Sequence, residues 1–284
     1  MHNQIGALAV EAMLFEVSAT PKPGLVDRNN CGAHRDMDFF TFMSSAAGLR
    51  QDFDAFAAAG QTHCSEPIGN LLPHLQRSGI EAERRMFAMT KGVNTHKGMI
   101  FSLGILCGAA GWAAGREPLT AERICALAAA MCTGLCAKEY ARLAEKRALT
   151  KGEAMYLKYG VTGVRGEAES GFQSVREIAL PEYRRLLAAG CSQNDVLVGT
   201  LLALLAGAHD TNILGRHDMA TLELVQQEAK DVLTQGGVET AEGRGAILAL
   251  DEDFIRRWIS PGGSADLVAV THFLYSLEQA DSAE

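Results

Sequence analysis

Two stretches of this chain are apolar on every helical face. Residues 98–115 read GMIFSLGILCGAAGWAAG without a charge until Arg116, and 196–208 read VLVGTLLALLAGA. Such helices cannot lie on a wet surface; in a globular protein they form the centre of a bundle and amphipathic helices wrap them. The first run approaches membrane-spanning length. Glycine and alanine dilute it, however, and nothing else in the chain matches it, so a core helix is the better reading. The polar residues at the ends of the two runs, NTHK at 94–97 and HDTN at 209–212, are then held deep and close together.

Helical periodicity recurs along the rest of the chain and no stretch alternates like a strand. The expected helices are 4–19, 39–59, 79–90, 97–114, 120–147, 151–158, 172–189, 192–208, 217–235, 241–257 and 264–280. Thr120, Ser192 and Ser264 stand where N-caps belong. Pro181 falls inside one of these patterns, where it breaks or kinks the helix. No linker or low-complexity segment divides the sequence. The expectation is an all-α, single-domain multi-helix bundle over residues 1–284 with two buried central helices.

With 48% hydrophobic and 21% charged residues, a large core is available. A net charge of −8 argues against a nucleic-acid or membrane surface, so an anionic ligand must be met by local cations or helix ends. The N-terminus lacks the basic segment of a signal peptide, and a cytoplasmic protein is expected. Seven cysteines show no zinc spacing; Cys132 and Cys136, one turn apart, suit a soft metal less well than they suit buried thiols.

Five polar clusters abut the apolar helices. The loop PKPGLVDRNNCGAHRDMDFF (21–40) holds Asp27, His34, Asp36 and Asp38, hard or borderline ligands that suit magnesium carried on a nucleotide. The competing reading makes Asp27 a turn former and Asp36 or Asp38 the cap of the helix from Phe39. The segment GVNTHKG (92–98) puts Asn94, Thr95, His96 and Lys97 at the start of a buried helix, where amide N–H groups and the dipole favour phosphate. There the alternative is an N-cap by Asn94 or Thr95 with Lys97 in solvent.

In GVRGEAESGF (163–172), Glu167 and Glu169 would diverge by roughly 200° on a helix. They converge only if the glycines make the segment irregular, and at most one is expected to do chemistry. HDTNILGRHD (209–218) offers Asp210 and Asn212 at the C-terminal end of a buried helix, where a cation is favoured. SPGGSADL (260–267) joins a Gly-Gly loop to a helix start bearing Ser264 and Asp266. A faint echo links Asp27-x-Asn29-x-x-Gly32-x-His34 to Asp210-x-Asn212-x-x-Gly215-x-His217, by duplication or because both are Asx-rich turns. Together the clusters describe a metal–phosphate enzyme without a P-loop, Rossmann or hydrolase signature.

The stretches KPGLVDRNNCGAHRDMD, GVNTHKGMIFSLGILC, GVRGEAESGF, DTN and SPGGSADL, in this order, resemble the triphosphoribosyl-dephospho-coenzyme A synthases from about residue 10 to 277. The resemblance implies an all-helical fold. It also implies that the 2′-hydroxyl of 3′-dephospho-coenzyme A replaces adenine at C1 of the ATP ribose, with the phosphates kept. The product is the precursor of the prosthetic group of citrate lyase or malonate decarboxylase, linking the chain to an acyl carrier protein and its holo-transferase.

For that chemistry the inventory assigns Asp27, His34, Asp36 and Asp210 to Mg²⁺, directly or through water. Lys22, Arg28, Asn94, Thr95, His96, Lys97, Arg165, Asn212 and Ser264 are assigned to substrate and phosphate. Glu167 is the expected base on the attacking hydroxyl, with Glu169 and Asp38 as its rivals. A metal-dependent N-ribosyl hydrolase would use the same acids without a second nucleotide pocket. A nucleotide-sensing or carrier-binding protein is disfavoured, because polar groups this dense at buried helix ends are costly unless used.

Overall fold

A computed structural model describes residues 2–141, 143 and 149–283, and every regular element among them is helical. The α-helices are α1 (His2–Ser18), α2 (Phe39–Gly48), α3 (Arg50–Thr62), α4 (Leu72–Met89), α5 (Lys97–Ala113), α6 (Ala121–Met131), α7 (Leu135–Tyr140) and α8 (Lys151–Tyr159). They continue as α9 (Gly163–Glu169), α10 (Leu180–Ala188), α11 (Gln193–Gly207), α12 (Thr211–Arg216), α13 (Met219–Thr234), α14 (Ala241–Arg257) and α15 (Gly262–Ser282).

The two apolar runs are α5 and α11, and both are buried along most of their length. Helices α1, α3, α4, α6 and α15 pack on α5, while α10, α13 and α15 pack on α11. Helix α15 thus bridges the two and is a third central element, buried continuously from Leu267 to Leu274. The apolar side chains of all these helices merge into one contiguous core. Glycine in α5 serves its crossing with α3: a Cβ on Gly111 would overlap the carbonyl of Ala57, and one on Gly60 the carbonyl of Gly108. The close approach offsets the roughly 0.5–1 kcal/mol that a mid-helix glycine costs. No helix among the described residues is long and apolar enough to cross a membrane.

Capping fixes several boundaries. Thr120, Ser192 and Thr240 each accept a hydrogen bond from the amide three residues on, an arrangement that typically stabilises by about 1 kcal/mol. Ser264 does not cap its helix; α15 begins earlier, at Gly262, with Pro261 before it. The expected helix 39–59 is two helices that meet at Leu49. The stretch 172–189 is a π-helical turn, Val175–Ala179, leading into α10, with Pro181 in its first turn where a missing N–H costs little. The pattern 120–147 divides into α6 and α7, and residues 142 and 144–147 of it lie outside the described residues. Two short helices, α9 and α12, fall outside the expected helices.

Candidate active site

The ends of α5, α11 and α15, the loop before α2 and the segment through α9 surround one cleft of about 1320 Å³. An open pocket of about 410 Å³ adjoins its mouth and shares His34, Asp36 and Arg216 with it. All five polar clusters reach the cleft, although they are spread over more than 200 positions of sequence. Of the residues nominated above, His34, Asp36, Asn94, Thr95, Lys97, Arg165, Glu167, Asn212 and Ser264 line it. Asp27, Asp38, Glu169, Lys22, Arg28, His96 and Asp210 do not, and local hydrogen bonding explains why.

Asp27 is buried with both oxygens filled. Oδ1 accepts from the amides of Asn29 (2.7 Å) and Asn30 (3.1 Å), and Oδ2 from the Thr20 hydroxyl (2.6 Å) and the Lys22 amide (3.1 Å). Asp210 repeats the scheme. Its Oδ1 accepts from the amides of Asn212 (2.8 Å) and Ile213 (3.2 Å), and its Oδ2 from the amide (2.7 Å) and hydroxyl (2.9 Å) of Ser264. The sequence echo is therefore two Asx turns of one design, each also tying a distant segment. Four donors leave neither carboxylate a free lone pair aimed at a cation, and both act as braces. Ser264 in turn spends its amide and hydroxyl on Asp210.

Asp38 caps α2, accepting from the Thr41 amide and hydroxyl, and these donors hold its carboxyl below the usual range. Helical geometry separates Glu167 from Glu169. On α9 they diverge as expected: Glu169 turns away to accept from the amides of Gly134 (2.8 Å) and Cys136 (3.0 Å) at the start of α7. Glu167 faces the cleft, where Ser174 donates its hydroxyl (2.5 Å) and amide (3.2 Å) to the two oxygens. Burial nevertheless pushes the Glu167 carboxyl above the usual range, the Ser174 donors opposing it.

The expected cations divide too. Arg28 lies outside the cleft and donates to Asn194 (3.2 Å). Lys22 is fully buried in an ion pair with Glu16. His96, at the N-cap of α5, bonds the Ser45 hydroxyl through Nδ1 (2.8 Å); burial, then the Lys22 charge, lowers its pKa to about 3. It is a neutral structural histidine. Lys97 lines the cleft, is 55% exposed and pairs with Glu83 at 2.8 Å. Arg165 pairs with Glu139 at 3.2 Å. Arg216, also in the lining, donates to the Ala33 carbonyl (3.0 Å) and approaches His34, whose pKa falls to about 4 through burial and that guanidinium.

The three acids and one imidazole nominated for metal share no common point. Among the described residues, one group of three His, Cys, Asp or Glu side chains has ligand atoms mutually within 4.8 Å: His63, Glu66 and His74, where α3 gives way to α4, with none of the three lining the cleft. Cys132 and Cys136 belong to no such group, and burial pushes both thiols up to about 12. The cleft also holds Glu16, Ser102 and Arg216, which sequence reasoning passed over, and Asp266, which it named without giving it a role. Asp266 was visible as a helix-start acid. Glu16 was marked only by its position within the apolar run MLFEVS.

Fold and site together define an all-α protein with a large charged cleft at the ends of its central helices. The chain belongs to the ATP:dephospho-CoA triphosphoribosyl transferase family, whose sequence pattern matches residues 2–284. It is 45% identical over 276 residues to a probable 2-(5''-triphosphoribosyl)-3'-dephosphocoenzyme-A synthase of Vibrio cholerae serotype O1 (strain M66-2), covering 97% of this chain and 88% of that one. The synthases of Pectobacterium atrosepticum (45% over 265 residues; 93% and 86%) and Klebsiella pneumoniae (44% over 268 residues; 94% and 88%) are similar to it as well. No solved structure matches the chain. The hydrolase alternative finds no support in these relatives.

Proposed function

We propose that this protein transfers the triphosphoribosyl group of ATP to the 2′-hydroxyl of 3′-dephospho-coenzyme A and releases adenine. Family membership and the synthase names of the relatives support the reaction. The observation that carries it in this molecule is the size of the cleft. About 1320 Å³ exceeds the ~300–1,000 Å³ usual for a single ligand, so donor and acceptor nucleotides fit side by side. A hydrolase would need room for one nucleotide only.

The triphosphate is met by point charges and a helix end. Lys97, Arg165 and Arg216 line the cleft, and the first turn of the 17-residue α5 opens into it at Lys97, Gly98 and Met99. Mg²⁺ travels with ATP, keeps several waters and takes one or two carboxylates besides phosphate oxygens. The donor set fits that mode better than a protein cage: Asp36, 66% exposed beside His34, is the nominated acid left open to the cleft. The cation would supply charge neutralisation along the phosphate chain.

The remaining work belongs to the protein. Glu167, fixed by two hydrogen bonds from Ser174, is placed to take the proton of the attacking hydroxyl. Binding energy from the triphosphate holds the ribose carbon against that hydroxyl. The product is read as the prosthetic-group precursor of citrate lyase or malonate decarboxylase, made in the cytoplasm and handed toward an acyl carrier protein. Adenine release from MgATP should depend on dephospho-coenzyme A; release at the same rate without the acceptor would return the case to a hydrolase.

A further inference from the structure

Displacing adenine needs two proton movements on opposite sides of the ribose. One carboxylate must receive the hydroxyl proton, and one acid must give a proton to the departing purine. Glu167 fills the first role from the wall made by α9. The first turn of α15 forms another part of the lining, and there Asp266 faces the same cleft. Its environment is the reverse of the one around Glu167. Asp266 accepts no hydrogen bond among the described residues, whereas Glu167 accepts two from Ser174.

The first turn of α5 is shaped around this carboxyl group. Asp266 Oδ2 lies against Gly98, and a Cβ there would overlap it. The charges facing Asp266 are unfavourable to a second anion. Glu16 on α1 and Asp210 at the start of α12 both raise its proton affinity, on top of a larger effect of burial. Lys22 is engaged by Glu16 and offers Asp266 no partner. A carboxyl without donors, set among other carboxylates, holds a proton that it can give away.

We infer that Asp266 is the general acid of the transfer, delivering its proton to adenine as the glycosidic bond breaks. The inference rests on the transferase reading above. In the step, the C1′–N9 bond breaks with its electron pair going to the purine, and the Asp266 proton goes to a purine ring nitrogen. The C1′–O2′ bond to dephospho-coenzyme A forms, and the hydroxyl proton passes to Glu167. Asp266 ends as carboxylate and Glu167 as acid, and exchange with water resets both.

A leaving group that needs no proton tests this. 7-Methyl-ATP already carries the positive charge, and its base departs as neutral 7-methyladenine. With dephospho-coenzyme A present, Asp266→Asn should slow adenine release from ATP by roughly 10²–10⁴-fold, the usual contribution of acid catalysis. It should slow 7-methyladenine release less than about tenfold, while ATP affinity stays near wild type. Should this variant fail to fold, Asp266→Ser, which also removes the acid, must show the same split. Equal losses on both nucleotides, or a wild-type rate on ATP, would overturn the assignment. A wild-type protein that joins neither nucleotide to the acceptor would overturn the transferase reading instead.

Discussion

Asp210 binds both the amide and the hydroxyl of Ser264, at 2.7 and 2.9 Å, and so ties the start of α12 to the start of α15 across 54 residues of sequence. With its other oxygen it caps α12 through Asn212 and Ile213. One buried side chain thus positions two of the segments that line the cleft.

Asp210→Asn should therefore lose stability as well as activity. The amide group presents donors where donors already point, which leaves at least one buried N–H unsatisfied. A cost of about 1–3 kcal/mol is expected. Urea unfolding of wild type and variant measures it. Unchanged stability with lost turnover would instead give Asp210 a direct chemical role.

His96 and His34 should both contribute to acid stability. An unfolded His titrates near 6.5, while His96 is lowered to about 3 and His34 to about 4. Between these values the unfolded chain binds protons that the folded one refuses, so stability is full above about pH 6.5 and falls on acidification. Against His96→Gln, wild type should lose on the order of 2–3 kcal/mol more between pH 7 and 4.5. Parallel losses in the two proteins would show that His96 is not buried as the neutral form.

Lys97 lines the cleft and is paired with Glu83, and the proposed triphosphate would compete for its ammonium. Lys97→Ala should weaken ATP binding by roughly 1.5–3 kcal/mol, with adenosine little affected. Glu83→Gln releases the ammonium and should tighten ATP slightly. Titration calorimetry with both ligands separates the outcomes; equal weakening for ATP and adenosine would make Lys97 structural.

Glu167 must be ionised to act as a base, and burial raises its pKa. Turnover should therefore fall with decreasing pH at a point above the ordinary glutamate range. Removing the opposing hydroxyl donor with Ser174→Ala, which keeps the amide, should move that acid limb higher still. A pH–rate profile unaltered in Ser174→Ala would detach Glu167 from the limb.

Much of the fold could be read because its strongest signals were local. Helices α5 and α11 show as runs apolar on all faces, and α14 falls at 241–257 as expected, framed by Thr240 and by Arg256 and Arg257 in its last turn. The break at Leu49 was hidden because α2 and α3 continue one apolar period. Helices α9 and α12 were hidden by being short and rich in Gly, Asn and Thr.

The site was legible as positions and illegible as directions. The five clusters do converge, but whether an acid faces the cleft or a backbone amide depends on its turn. Asp27, Asp38, Glu169 and Asp210 have the residue type for chemistry and spend it on N–H groups. Spacing separated Glu167 from Glu169 only once α9 was known to be helical. Asp266 gains its setting from Gly98 on α5 and from Glu16 on α1, contacts that no window of sequence contains.

The most direct test of the central claim is the mass of the product formed from MgATP and 3′-dephospho-coenzyme A. The account predicts dephospho-coenzyme A enlarged by one triphosphoribosyl unit, with one adenine released per product and no ADP, AMP or pyrophosphate formed in step. Free ribose triphosphate with unmodified dephospho-coenzyme A, or phosphate or pyrophosphate release matching turnover, would contradict it.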